Sequence, residues 1–430
     1  MNGEVEHLLR TEAPQVLGAL ARRFGRFDIA EDAVQEALLA AGRDWSAHGV
    51  PSDPRSWLIR IGYRRMVDLL RSDQARRRRE TEAGMADLAM REPSRQAGPP
   101  QEMDDSLTLL MLCCHPALST TSQVALTLRA VGGLTTAEIA HAYGTSEATM
   151  GTRISRAKQQ LARAGARFTP PTDADRDART AAVMQVLYLV FNEGYTATAG
   201  RELARVDLTR EAIRLARMLR ASLPDDAEAA GLLALMLLTD SRRDARTGAE
   251  RELVPLDEQD RARWDPELIR EGTELIDSVW NRGAAGPYRL QAAIAAVHAA
   301  AASPQETDWP QIALLYLWLE RLAPTAPVRL SRVVAVAQAY GPARGLALLD
   351  DLNRRHHLDR EPLTRQRERA VRAHLLQMTG DTATAADLYR QAAALTGNQV
   401  EQRYLLAKAD RLACGLHPGP STSRYRGPSV

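Results

Sequence analysis

The sequence is poor in the features that mark secreted and membrane proteins. Only three cysteines occur in 430 residues. Two of them, Cys113 and Cys114, are adjacent, so the sequence has no disulfide framework and indicates a reducing compartment. No apolar run approaches the length of a membrane span, and the segment MNGEVEHLLRTEAP lacks the core of a signal peptide. We therefore expect a cytoplasmic protein that makes no membrane contact.

Lysine and net charge are also scarce. Lys158 and Lys408 are the only lysines, so arginine carries nearly all of the positive charge. The formal net charge is +2, which means that any surface for nucleic acid must be local. A hydrophobic content of 45% with 26% charged residues is typical of a globular protein. A chain of this length predicts about two to four domains.

Alternating runs of β-branched residues are missing, whereas Ala, Leu, Arg and Glu dominate. The sequence therefore predicts an all-α fold. Helical patterns and a charged stretch with Pro and Gly divide the chain into a helical domain (1–75), a flexible linker (76–103), a second helical domain (104–168), a long helical extension (173–416) and a disordered tail (417–430).

The second domain ends in LTTAEIAHAYGTSEATMGTRISRAKQQL, which predicts two short helices joined by a tight turn. Thr135 and Glu138 have the spacing of a capping box for the first helix. Gly144 comes at the turn, where a left-handed residue is favoured, and Ser146 is a good N-cap for the second helix. The inner stripe of that helix is predicted to contain Met150, Ile154, Ala157 and Leu161.

Short polar residues lead the outer face of this second helix and cations follow them. The predicted outer face consists of Glu147, Thr149, Thr152, Arg153, Arg156 and Lys158. This order suits a helix whose N-terminus contacts base edges while later turns hold phosphates. An ordinary helical hairpin with a solvated basic face is the alternative. The small Ala140, the glycine four residues later and the apolar Met150 favour a DNA-reading helix-turn-helix.

The first domain contains three helical patterns, of which the first runs from Val5 to Phe24. The second pattern has Asp28 as its predicted N-cap, with Ile29, Ala33, Ala37 and Ala40 or Ala41 along its inner stripe. Its other side carries Glu31, Asp32, Gln35 and Glu36. Taken alone, this acidic face predicts only contact with solvent.

The third pattern starts near Pro54, which the first turn of a helix tolerates. Its buried side is predicted to contain Trp57, Leu58, Ile61 and Leu69. Between Arg60 and Arg79 there are eight arginines and two acidic residues. This stripe, with Tyr63 beside it, suits a nucleic-acid backbone and a stacked base. A solubilising surface is the competing interpretation.

The motifs AEDAVQEALLAA, WLIRIGYRRMVDLLR and TTAEIAHAYGTSEATMGTRISRAK occur in this order, with a linker before the last. The first 165 residues thereby resemble the extracytoplasmic-function (group IV) sigma factors of bacterial RNA polymerase. The resemblance implies a σ2 domain that docks on the β′ clamp helices and captures the −10 strand. It also implies a σ4 domain that reads the −35 element and contacts the β flap, and a linker that runs toward the RNA exit path.

The resemblance also implies roles for individual residues. The polymerase-binding residues would be Asp28, Asp32, Gln35, Glu36 and Leu39. The −10 element would be contacted by Arg60, Tyr63, Arg64, Arg65 and Arg71. The −35 element would be contacted by Ser146, Glu147, Thr149, Thr152, Arg153, Arg156 and Lys158. Arg64 stands where many relatives have asparagine, so the choice of −10 bases is not carried over.

Two further motifs could suggest chemistry. In CCHP, Cys113 to Pro116, three consecutive potential ligands cannot converge on one tetrahedral ion, and no Cys/His pair follows at finger spacing. We expect the two cysteines to be buried at a helix end. In FNEGY, Phe191 to Tyr195, Glu193 is predicted to belong to a structural junction with the σ domains and not to a catalytic site. The sequence predicts no enzyme, metal or cofactor.

The extension contains three similar pairs of apolar helices, which begin at Leu215, Leu315 and Asp387. Around the last pair, the segment LLQMTGDTATAADLYRQAAAL resembles a tetratricopeptide unit, with Gly380 at the turn and with Ala385 and Tyr389 on the packing face. Such pairs stack into a solenoid whose concave side binds proteins. FNEGY likewise resembles a motif of the sigma-factor subgroup that has tetratricopeptide-like C-terminal extensions.

Three functions remain open from the sequence. The leading hypothesis is an alternative sigma factor whose extension regulates it in cis, docks polymerase or holds a protein partner. The alternative is a free-standing helix-turn-helix regulator with a ligand- or protein-sensing repeat domain, which would bind palindromic DNA without polymerase. A repeat scaffold with an incidental DNA hairpin leaves the AEDAVQEALLAA and WLIRIGYRR patterns unexplained.

Overall fold

The computed structural model describes residues 3–82, 102–143, 145–169, 172–197, 203–248, 252–361 and 364–414. These residues form α-helices and short 3-10 turns, and their β-structure is limited to an isolated bridge between Thr247 and Leu253. The all-α prediction is confirmed. Gly144, the tail from residue 417 and most of the predicted linker lie outside the described residues.

The chain divides into two compact units, one within residues 1–194 and 205–225 and the other within 195–204 and 226–430. The helices of the first unit are α1 (Gly3–Phe24), α2 (Phe27–His48), α3 (Pro54–Glu82), α4 (Glu102–Cys113), α5 (Thr120–Ala130), α6 (Thr136–Ala142), α7 (Glu147–Arg163), α8 (Asp173–Tyr195) and α9 (Val206–Ser222). Those of the second are α10 (Ala227–Asp240), α11 (Pro266–Val279), α12 (Pro287–Ala300), α13 (Trp309–Leu322), α14 (Ala326–Tyr340), α15 (Pro342–His356), α16 (Arg365–Thr379), α17 (Thr382–Ala393) and α18 (Gln399–Ala413).

Helices α1, α2 and α3 pack on one another at the start of the first unit. The predicted inner stripe of α2 is confirmed, because Ile29, Ala33, Ala37 and Ala41 are buried. Asp28 was wrongly predicted as the N-cap. The helix begins at Phe27, so Asp28 lies in its first turn, where a carboxylate favours the positive end of the helix dipole.

The buried face of α3 was predicted only in part. Leu58 is fully buried, and the Trp57 ring packs edge-on against Trp45 at a centroid distance of 5.5 Å. Ile61 and Leu69 are half-buried, whereas Met66, which the sequence pattern missed, is completely enclosed. The helix continues to Glu82, so the first residues of the predicted linker are helical.

The first unit continues beyond the helix-turn-helix into the start of the extension. Helix α9 packs on α4, and the Arg214 guanidinium donates to the Val131 carbonyl oxygen at 3.1 Å. From α8, Arg179 donates to the Met111 carbonyl oxygen at 2.9 Å. Two helices of the predicted extension therefore belong to the same compact unit as α1 to α7.

The second unit is a series of neighbouring helices, and each apolar core cluster shares a helix with the next cluster. One apolar cluster joins α12, α13 and α14, the next joins α14, α15 and α16, and the last joins α16, α17 and α18. Gly380 has a positive φ of 91° at the turn before α17, and Ala385 and Tyr389 are buried, as predicted. The first predicted helix pair is divided between the units, since α10 packs on α11 and α12 in the second unit while α9 packs in the first.

No helix within the described ranges combines the length and apolarity needed to cross a bilayer.

Candidate nucleic-acid and protein-docking surfaces

Helices α6 and α7 form the helix-turn-helix that the sequence predicts. The Thr135 hydroxyl oxygen accepts from the Glu138 backbone N–H at 3.1 Å, and the Glu138 carboxylate accepts from the Thr135 N–H at 2.7 Å. This reciprocal capping box fixes the start of α6. The Ser146 hydroxyl accepts from the Thr149 backbone N–H at 3.2 Å and caps α7. Both predicted caps are confirmed.

The inner and outer faces of α7 follow the predicted helical period with one exception. The inner stripe is confirmed, because Met150, Ile154, Ala157 and Leu161 are buried. The N-terminal turn presents Ser146, Glu147, Thr149 and Thr152 to solvent. Arg156 is exposed on the next turn, whereas Arg153 is half-buried. The outer face thus has the polar start and the following cation that suit a duplex groove.

Lys158 is the exception, and its predicted outward placement is wrong. The side chain is only 10% exposed. Its ammonium lies 2.9 Å from Glu31 Oε2 and 2.5 Å from Asp32 Oδ1, both on α2. Lys158 follows directly after the buried Ala157, so its position on the helix allows it to turn toward a neighbour. The pattern of α7 alone contains no information about that neighbour.

Glu31 is the centre of a buried cluster of charged side chains that the sequence analysis did not predict. Its side chain is 2% exposed, and its second oxygen accepts from Arg129 Nε of α5 at 2.9 Å. Burial alone would raise the pKa of Glu31, but Lys158 and Arg129 outweigh it and lower that pKa. Burial likewise opposes the charge of Lys158, and the two carboxylates outweigh it and raise its pKa. Glu31 and Lys158 are therefore both charged at neutral pH.

The outer face of α2 combines acidic residues with an exposed apolar side chain. Leu39 is 62% exposed. Glu36 binds Arg65 of α3 at 3.1 Å, and Asp28 binds Arg26 at 2.8 Å. Gln35 is half-buried. The structure thus places the predicted polymerase residues along one helix and pairs several of them with cations of the same chain.

The outer face of α3 presents a row of cations. Arg60, Arg64, Arg65 and Arg71 are exposed, whereas the side chains of Arg76 to Arg79 lie outside the described part of the chain. Tyr63 is 38% exposed. Its ring lies 5.3 Å from the Phe24 ring and 5.2 Å from the Arg23 guanidinium. One face of the tyrosine is therefore already covered by Arg23, which orients the ring beside the arginines.

The CCHP motif lies in the core of the first unit. Cys113 ends α4, and both it and Cys114 are completely buried, as predicted. The Cys114 sulfur lies 3.8 Å from the Thr127 hydroxyl. Burial raises the pKa of Cys114 to about 12, so the thiol stays protonated. Among the described residues, no group of three or more His, Cys, Asp or Glu side chains has the geometry of a metal site.

In the FNEGY motif, the end of α8 packs on the start of α9. Phe191 is buried, and the Gly194 carbonyl oxygen accepts from the Arg205 N–H at 2.6 Å. A Cβ at Gly194 would lie 2.6 Å from the Thr209 backbone nitrogen, so only glycine permits this approach. In the second unit, the Arg246 guanidinium stacks 3.5 Å from the Tyr195 ring. These contacts are those of a structural junction.

Three families of known proteins match successive parts of the chain. Residues 8–77 match sigma-70 region 2, and residues 108–161 match sigma-70 region 4. Residues 179–280 match a family of unknown function (DUF6596). Helices α2 and α3 therefore belong to region 2, and α5, α6 and α7 to region 4.

Two relatives extend this comparison. An uncharacterized protein of Rhizobium meliloti (strain 1021) is 40% identical over 419 residues, which cover 96% of each chain. The ECF RNA polymerase sigma factor SigK of Mycobacterium ulcerans (strain Agy99) is 28% identical over 152 residues, 34% of this chain and 78% of that protein. The chain thus belongs to the family of the Rhizobium meliloti protein and, through sigma-70 regions 2 and 4, it is a sigma factor with core RNA polymerase and promoter DNA as its partners.

Proposed function

We propose that this chain is an extracytoplasmic-function sigma factor in which α2 docks on core polymerase, α3 engages the −10 element and α7 reads the −35 element. The observation that carries the proposal is the presence of regions 2 and 4 on one chain, each with an exposed face of suitable chemistry. The assignment of individual residues to these contacts is part of the proposal.

An exposed leucine, Leu39, on an acidic face supports α2 as the docking helix. A helix that only faced solvent would have no need of an apolar side chain that is 62% exposed. A leucine that shares a helix face with carboxylates suits a protein surface that offers an apolar pocket beside basic groups. We propose that this surface docks on the β′ clamp helices, with Leu39 at one end and Asp28, Asp32, Gln35 and Glu36 along the same helix.

Exposed cations and short polar groups support α3 and α7 as the DNA-binding helices. Exposed arginines on α3 favour the phosphates of the −10 strand, and Tyr63 offers a face for an unstacked base. The polar N-terminal turn of α7 favours base edges in the major groove, with Arg156 following it. Region 4 would at the same time contact the β flap.

The packing of α8 and α9 within the first unit supports regulation in cis. Arg179 and Arg214 bind backbone carbonyls of region 4 at 2.9 and 3.1 Å, so the extension begins as a brace for region 4. The second unit would form a tetratricopeptide-like solenoid. Its groove of about 760 Å³, lined by Trp309, Tyr404 and Lys408, would hold a protein partner.

Binding of labelled protein to bacterial core polymerase tests the proposal. We expect Leu39→Asp to weaken binding at least about tenfold, equivalent to about 1.4 kcal/mol, because it places a charge in the docking surface. The matched control is Leu406→Asp, since Leu406 of α18 is 40% exposed. Equal affinity of Leu39→Asp and wild type would contradict the assignment of α2. Tight binding to palindromic duplex DNA without polymerase would instead favour the free-standing regulator.

A further inference from the structure

We propose that Glu31, Arg129 and Lys158 form a latch that holds region 4 against region 2 in the free protein and opens when the chain joins core polymerase. The latch itself rests on the geometry of the first unit. Its opening by polymerase rests on the proposed function.

The Glu31 latch joins three helices from two regions. Glu31 of α2 uses one carboxylate oxygen for Arg129 Nε of α5 and the other for Lys158 Nζ of α7, each at 2.9 Å. Arg129 is in turn fixed by the Leu134 carbonyl oxygen, which accepts from its Nη1 at 3.2 Å. Both cations come from region 4, and the carboxylate that they share comes from region 2.

The polar nature of this contact allows it to separate. A buried carboxylate is stable only while it is paired, and a permanent core would be more stable with apolar residues in its place. The contact also borders an open cleft of about 1170 Å³, which is lined by Glu31, Asp32, Arg129, Ser155, Lys158 and Gln159. Water can therefore solvate the charges as soon as the two regions move apart.

When region 4 lies against region 2, some residues that the proposed function assigns to polymerase and DNA are paired with one another. Lys158, assigned to the −35 element, lies 2.5 Å from Asp32, assigned to polymerase. Arg65, assigned to the −10 element, likewise covers Glu36 at 3.1 Å. Polymerase must therefore compete with Lys158 for Asp32, and opening of the latch would free Asp32 and the α7 cation together.

The latch is the charged part of a wider contact. Gln15 of α1 donates to the Ser106 hydroxyl of α4 at 3.1 Å, and α1 packs along α4. Removal of the Glu31 charge should therefore shift the balance between closed and open forms without unfolding either region. The apparent affinity for polymerase is reduced by the fraction of molecules that are closed, so any gain in the open fraction appears directly as tighter binding.

The test uses the full chain with spin labels on α2 and α7, introduced as Arg43→Cys and Ala162→Cys. Both positions are exposed, Cys414→Ser removes the exposed native thiol, and Cys113 and Cys114 are buried. Pulsed electron paramagnetic resonance measures the distance between the labels. Two variants break the latch: Glu31→Gln, and Lys158→Met, which removes the ammonium but retains an apolar side chain.

We expect one short distance in the labelled parent protein and a longer one after core polymerase is added. Glu31→Gln and Lys158→Met should populate the longer distance without polymerase and bind polymerase about 3- to 10-fold more tightly. The matched control is Glu320→Gln. Glu320 also holds two arginines, Arg329 at 3.3 Å and Arg332, but within the second unit. This variant should keep the parent distance and affinity.

Unchanged distances and polymerase affinity in both latch variants, with wild-type helicity, would overturn the latch. If the variants open but no form of the chain binds polymerase, the latch stands and the proposed function fails. If every form binds polymerase equally and the labels do not move apart, the latch fails and the proposed function stands. A loss of helicity confined to Glu31→Gln leaves Lys158→Met to decide.

Discussion

Arg156 lies exposed on the outer face of α7, one turn beyond the polar residues that begin the helix. We expect Arg156→Ala to weaken binding of the −35 duplex by the polymerase-bound protein by about 1–3 kcal/mol, because one base-edge contact would be lost. Competition between −35 duplexes in fluorescence anisotropy measures this change.

Arg163→Ala is the charge-matched control for that experiment. Arg163 is also exposed, but it is the last residue of α7 and lies far from the helix N-terminus. We expect it to cost less than Arg156→Ala and to leave discrimination between −35 sequences unchanged. Equal losses from the two substitutions would show that Arg156 contributes only general charge.

The buried thiols of Cys113 and Cys114 give a prediction about pH. Burial raises the pKa of Cys114 to about 12, above the unfolded value of about 8.5, and also raises that of Cys113. Their contribution to stability is therefore fully present below the unfolded pKa and is lost as the pH rises toward the folded value. We expect the free energy of unfolding of the first unit to fall from about pH 9 upward.

A thiol-reactive chromophore at pH 8 checks the same burial directly. Cys414 is exposed and should react at once, whereas Cys113 and Cys114 should react only after unfolding. Cys414→Ser should abolish the fast phase. Three fast thiols in the native protein would contradict the burial of the CCHP motif.

The same residues show what a single sequence can reveal at this scale. Thr135, Ser146 and the inner stripe of α7 were predicted correctly because caps and helical periods are local properties. The burial of Lys158 was missed, because its partners, Glu31 and Asp32, are more than one hundred residues away in the chain. An ion pair between distant helices leaves no periodic signal in either helix.

At the scale of helices, the junction between α8 and α9 depends on Gly194. An alanine Cβ there would lie 2.6 Å from the Thr209 nitrogen and 2.9 Å from Leu208 Cβ, so α9 would have to shift. We expect Gly194→Ala to destabilise this junction by about 1–3 kcal/mol, as overpacking does. Faster hydrogen exchange at residues 205–215 would report the change locally.

Gly151→Ala is the matched control within the same unit. Its Cβ would meet only the Thr136 Cγ2 at 3.8 Å, an ordinary contact. Since alanine favours a helix interior over glycine, this change should be neutral or stabilising by up to about 1 kcal/mol. Similar protection at residues 205–215 in both variants and wild type would contradict the role given to Gly194.

The neighbours of each helix were harder to predict than the helices themselves. Amphipathic stripes identified the buried sides of α2 and α7, since one face of each must leave water. They gave no indication that α9 packs on α4 while α10 packs with α11 and α12. Similar apolar stripes at Leu215 and Leu315 suggested equivalent pairs, but the choice of a partner depends on shape and on loops far along the chain.

At the scale of the whole chain, the start of the extension belongs to the same compact unit as regions 2 and 4. Helices α8 and α9 lie in that unit, and the match to the family of unknown function begins within α8. A truncation after Phe168 would therefore remove the groups that bind Met111 and Val131 in region 4. Single substitutions in the full chain are the better probes of regulation.

The measurement that tests the central claim most directly is in vitro transcription from a randomised promoter library, with the full chain and bacterial core polymerase supplied separately and together. We predict specific transcripts only when both are present, with enriched −35 and −10 sequences at a constant spacing, because under our proposal α7 and α3 would read them from one chain. No transcripts from the combined proteins, together with palindromic duplexes retained by the chain alone, would contradict the account.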